Sequence, residues 1–94
     1  MATMCTVDGD FNRLRTKPGL GLTVFLGTED RHPELASLTP GERILIVEPG
    51  EVWAEGTAQV IEEHGRRWWY GVLESRAAIH AVLPGHPAPA EAQT

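Results

Sequence analysis

Two β-rich runs, Val52 to Glu63 and Arg66 to Glu74, meet across the dipeptide His64-Gly65. No other stretch constrains the fold as much. A two-residue loop ending in Gly, between runs rich in Val, Ile, Thr, Trp and Tyr, signals a tight β-hairpin. The loop length then fixes the partners: Glu63 faces Arg66, Val60 faces Trp69, Ala58 faces Gly71 and Gly56 faces Leu73 on one side. On the other side Ile61 meets Trp68, Gln59 meets Tyr70, Thr57 meets Val72 and Glu55 meets Glu74. A one-residue slip would turn every side chain over, so this register carries a prediction about the interior. The first face sets Trp69 and Leu73 against small residues, as a curved interior requires. The second mixes polar strand residues with Trp68 and Tyr70, and Trp53 shares its parity.

Three more strands are expected around this hairpin. Leu20 to Leu26 contains the strand formers Thr23, Val24 and Phe25. Arg43 to Glu48 holds four consecutive aliphatics, Ile44 to Val47, a run without alternation that predicts cover on both faces. Pro49-Gly50 after it suits the central positions of a type II turn. Ile79 to Leu83 is a last short strand, stopped by Pro84-Gly85. Helical structure is limited to single turns at Pro33 to Leu38, where Pro33 fits a first helical position, and at Ser75 to Ala78. The 94 residues therefore divide into an irregular lead-in over 1–18, one β domain over 19–84 and a disordered, Pro-rich tail over 85–94. The fold class expected is all-β: a small five-stranded barrel or roll with one or two helical turns.

From residue 38 to 84 the chain resembles small SH3-like barrels of the Tudor and KOW type. The residues that carry the resemblance are Pro40-Gly41-Glu42-Arg43 leading into Ile44-Leu45-Ile46-Val47, the strand Glu55 to Val60, the strand Trp68-Trp69-Tyr70-Gly71-Val72 and the closing Ile79 to Pro84. It is a likeness of architecture over about half the chain, without a diagnostic motif.

The hairpin parity places Trp69 in the core and leaves Trp68, Tyr70 and Trp53 partly exposed. Large exposed aromatic patches are uncommon on soluble monomers. Two explanations follow: the lead-in, the 27–41 segment or the tail covers the patch, or a partner does. The partner reading makes Trp53, Gln59, Arg66, Arg67, Trp68 and Tyr70 a binding surface. Aromatic rings supply buried area there, and the Arg side chains orient an acidic or carbonyl-rich segment of a protein or peptide. The runner-up is a homodimer closed by the same face. A third reading is a nucleic-acid-binding accessory, for which Arg13, Arg15 and Lys17 form a basic lead-in.

Charge weighs against that third reading. Thirteen acidic against eight basic residues give a net charge of −5, where nucleic-acid clamps normally show a basic excess. The imbalance is local: residues 42–63 carry one Arg and six Glu, and residues 64–76 carry three Arg and one Glu. Nucleic acid is thus an unlikely partner on composition, but the basic and aromatic residues fall together.

The remaining motifs fail on inspection. Asp8, Asp10 and Asn12 mimic the start of a calcium loop, but Arg13 stands where Gly is needed and Gly19 where Glu belongs. His32, His64, His80, His86 and Cys5 show no metal-ligand spacing. Cys5, Ser37 and Ser75 lack a base or an elbow motif. No enzyme, no metal and no cofactor is expected. A single Cys, no apolar run of bilayer length and no signal-like N-terminus predict a cytoplasmic protein without a membrane partner. Seven Arg against one Lys match the coding bias of a GC-rich bacterial genome.

Overall fold

The computed structural model describes residues 4–82. Seven strands and two single 3-10 turns follow in order: β1 (Cys5–Asp8), β2 (Asp10–Lys17), β3 (Gly21–Thr28), a turn at Pro33–Ser37, β4 (Arg43–Glu48), β5 (Val52–Glu63), β6 (Arg66–Leu73), a turn at Arg76–Ala78 and β7 (Ile79–Ala81). All strands join one sheet in the order β1-β4-β5-β6-β3-β2, with β7 paired to β5. The all-β expectation holds. The count of five does not, because the supposedly irregular lead-in supplies β1 and β2. The expected tail over 85–94 lies outside the described residues.

The hairpin register is the one that loop length dictates. β5 and β6 pair from Thr57 with Val72 to Glu63 with Arg66, including Val60 with Trp69 and Ile61 with Trp68. His64 and Gly65 both take positive φ, 54° and 74°, the conformation that matches strand twist in a two-residue loop. β4 and β5 pair from Arg43 with Thr57 to Glu48 with Val52. The Pro49-Gly50 turn closes with the Glu51 N–H donating to the Glu48 carbonyl at 2.9 Å. β5 is the organising strand: one edge carries β4, and the other carries β6 and, beyond it, β7 at residues 52–54.

β1 and β2 lie on opposite edges of the sheet, yet only Gly9 separates them. In a flat sheet, five spacings of ~4.8 Å would hold those edges about 24 Å apart. One residue spans at most about 3.6 Å. The sheet must therefore curl until its edges meet at Gly9. β1 runs parallel to β4, Cys5 opposite Ile44, and β2 runs antiparallel to β3 with a register shift between Asp10 and Arg15. Among the described residues no ladder joins β1 to β2, so the curled sheet is not a closed barrel.

The core fills the curl. Val24, Leu26, Leu35, Leu38, Ile44, Ile46, Ala54, Ala58, Trp69 and Leu73 are buried there, with Val7, Phe11 and Leu14 packed against them from the N-terminal strands. Trp69 is 0% exposed, as its parity requires. The unalternating run of β4 is covered on both sides. Ile44 and Ile46 face the main core, while Leu45 and Val47 face a second cluster bordered by Met4, Trp53 and Val82.

Candidate functional site

The face opposite Trp69 is built by β2, β3 and β6. Tyr70 pairs with Phe25 of β3 on one side and with Gln59 of β5 on the other. The Phe25 ring lies between Trp68 and Tyr70, with centroids 5.9 Å and 5.6 Å away and the rings tilted by 39° and 53°. Tilted contacts at these distances are favourable aromatic packing. All three rings are half-buried.

β2 lays three cations beside these rings. The Arg13 guanidinium is 5.3 Å from the Phe25 centroid and the Lys17 ammonium 4.9 Å from that of Tyr70. Arg15, opposite Thr23 in the ladder, completes the row. Together Arg13, Arg15, Lys17, Thr23, Phe25, Trp68 and Tyr70 line a shallow hollow of about 190 Å³. Thr23 forms its floor, its hydroxyl donating to the Arg15 carbonyl at 2.9 Å. Among the described residues no carboxylate forms an ion pair with Arg13, Arg15 or Lys17. Arg15 donates instead to the Leu14 carbonyl.

The Arg pair expected at the site is employed differently. Arg67 lies 3.1 Å from Glu29 and 3.9 Å from Glu62, and Arg66 lies 4.0 Å from Asp30. The Asp30 carboxyl is held below its ordinary pKa, first by a hydrogen bond with the Thr28 side chain. Desolvation opposes this, and the residue's own backbone N–H and the nearby Arg66 and Arg31 add smaller effects in the lowering direction. Glu29 also accepts the Trp69 indole N–H at 2.8 Å, which satisfies the one polar atom of that buried ring. These residues bind the 27–31 segment to the end of β6. Among the described residues the cations of β2 have no carboxylate partner, nor has Arg31, which lines a neighbouring hollow with Phe25 and Trp68.

Of the six residues proposed from sequence, the structure brings Trp68 and Tyr70 together, with Gln59 alongside. Arg66 and Arg67 sit at the hairpin end in ion pairs. Trp53 is elsewhere: it lies about 26 Å along β5 from Ile61, the partner of Trp68, at ~3.3 Å per residue. Its ring stacks on His80 at 4.3 Å and 25°, beside Leu45 and Val47. Phe25 and Thr23 are additions that only the pairing of β3 with β6 reveals. Arg13, Arg15 and Lys17 carried a signal in the sequence, namely cations at alternate positions, which a strand displays on one side.

Outside this face, Asp8, Asp10 and Asn12 belong to β1 and β2, with the Asp10 carboxylate accepting the Asn12 N–H at 3.0 Å. Among the described residues no three His, Cys, Asp or Glu side chains gather as a metal site would need, and no helix is long and apolar enough to cross a membrane. No protein-family model, curated protein or solved structure matches the chain.

Proposed function

We propose that this chain is a non-enzymatic interaction module that captures an anionic partner on the face formed by β2, β3 and β6. One observation carries the reading: Arg13, Arg15 and Lys17, without carboxylate partners among the described residues, stand beside a cluster of three aromatic rings. Arg, Trp and Tyr are the residues that dominate binding hot spots, and Arg presents a planar fork suited to carboxylate or phosphate. The expectation of an acidic or carbonyl-rich segment widens here to an anionic partner, and the site moves. The cations that orient the partner are those of β2, not Arg66 and Arg67.

Absence of catalysis is part of the same reading. Ser75 caps the following turn by accepting the Ala77 N–H, and the Ser37 hydroxyl donates to the Glu34 carbonyl. Among the described residues neither hydroxyl hydrogen-bonds to a His or a carboxylate. In architecture, we read the curled sheet as an SH3-like roll to which β1 and β2 have been added. Its support is the β4-β5-β6 meander followed by a 3-10 turn and a short closing strand.

The test is a titration with simple polyanions at low salt, poly-glutamate and a short oligonucleotide, followed by amide chemical shifts. Shifts confined to β2, β3 and β6, and abolished by combining Arg13→Gln, Arg15→Gln and Lys17→Gln, support the site. Binding that survives the triple substitution overturns it. Sedimentation across a concentration range tests the homodimer alternative, which requires association that Tyr70→Thr reverses.

A further inference from the structure

The three cations of the hollow form a row. Alternate residues of a strand emerge on the same side every ~6.7 Å, so Arg13 to Lys17 spans about 13 Å along β2. The hollow is shallow, about 190 Å³, below the roughly 300–1,000 Å³ of sites that enclose a small molecule. A compact anion would meet no back wall here. A charged row on an open shelf suits a linear polyanion.

The rings sharpen the choice among polyanions. Phe25, Tyr70 and Trp68 lie beside the cation row, so a ligand that uses both must bring an anion and a flat apolar group to the same side in each repeat. An extended acidic peptide does not, because its successive side chains point to opposite faces. With its carboxylates on the cations, its intervening side chains turn away from the rings. Single-stranded nucleic acid does: every nucleotide carries a phosphate and a base with a π-face, and grooves that join cations to aromatic platforms are how such strands are held.

We propose that this face binds single-stranded nucleic acid, with phosphates on Arg13, Arg15 and Lys17 and bases stacked against Trp68 and Tyr70. The inference rests on the reading of this face as an anion-binding surface. Lys17 and Arg13 rise from the Tyr70 and Phe25 rings toward phosphate as the bases arrive. The net charge of −5 opposes this only weakly, because exposed charges are screened beyond about 8 Å at physiological salt. Glu29, Asp30 and Glu62 are engaged with Arg66 and Arg67. The contacts read no base edges, so the preference among sequences is slight.

Fluorescence anisotropy of a labelled oligo-dT across a range of salt provides the test. Each phosphate neutralised on a single strand contributes about −0.7 to the slope of log K against log salt, so three give about −2. Arg13→Gln, Arg15→Gln and Lys17→Gln each make the slope shallower by about 0.7. Tyr70→Leu weakens binding roughly five- to 150-fold without changing the slope, as loss of one stacked base does. Tyr70→Phe keeps the ring and keeps the affinity, which decides the matter even where the Leu variant does not fold. An abasic strand of equal length separates the two levels of the argument. If it, or poly-glutamate, binds as tightly as oligo-dT, the nucleic-acid assignment falls while the anion-binding face stands. If none of the three binds at low salt, both fall.

Discussion

Trp69 and Trp68 are adjacent in sequence and opposite in environment. Trp69 is wholly buried and donates its indole N–H to Glu29, whose carboxylate also holds Arg67. Removing that acceptor leaves a buried donor unsatisfied, which costs about 1–3 kcal/mol. Glu29→Ala should lower stability by that amount in urea unfolding, while Glu29→Gln, which keeps an acceptor oxygen, should lose less. Equal losses would mean that the Arg67 ion pair rather than the indole bond is what matters. At this scale the sequence was legible where strand parity decides, as for Trp69 against Trp68 and Tyr70. The register also names Glu62 as the cross-strand partner of Arg67, but the pairing of Arg67 with Glu29 and of Arg66 with Asp30 was not legible. Glu29 and Asp30 lie far from these Arg along the chain and are brought close only because β3 pairs with β6.

Strands defined by a strong local signal were found, and strands defined by their neighbours were not. The β5–β6 hairpin follows from two positions that accept positive φ, and β4 from an aliphatic run. β2 lacks any such run and its apolar residues do not alternate. Its register shift between Asp10 and Arg15 puts the core-facing Phe11 and Leu14 three residues apart, which breaks a period of two. Asp8-Gly9-Asp10 reads as a breaker for the same reason that it works as a corner. A Cβ on Gly9 would lie 2.5 Å from Ile46 Cγ2 of β4 and 3.0 Å from Val24 Cγ1 of β3, so the strands next to the two edges of the sheet close on it from opposite sides. Gly9→Ala should destabilise the fold by about 1–3 kcal/mol through overpacking. Denaturant midpoints measure this, and an unchanged midpoint would show that the corner relaxes freely.

For the whole molecule, the decisive matter is that residues 5–8 and 10–17 belong to the sheet as β1 and β2. Val7, Phe11 and Leu14 pack on the main core and Met4 borders the second cluster. Deleting residues 1–18 should therefore abolish cooperative unfolding rather than release an intact domain over 19–84. A truncated chain that keeps its amide dispersion and a sharp denaturant transition would contradict this. The same deletion removes every cation of the hollow, so function and stability share one segment.

The sequence by itself determined the β class, the hairpin register, the two turns and which tryptophan is buried. These depend on local backbone preference and on the strict alternation of side chains along a strand. It also held the charges and rings of the candidate site, though in separate segments. Only the tertiary structure decided that the sheet curls until β1 and β2 meet at Gly9, that Arg66 reaches Asp30 and Arg67 reaches Glu29, and that Arg13, Arg15 and Lys17 lie beside Phe25, Trp68 and Tyr70. Those outcomes depend on which strands become neighbours. Pairing between distant segments is settled by the packing of the whole core, a quantity that no local pattern contains.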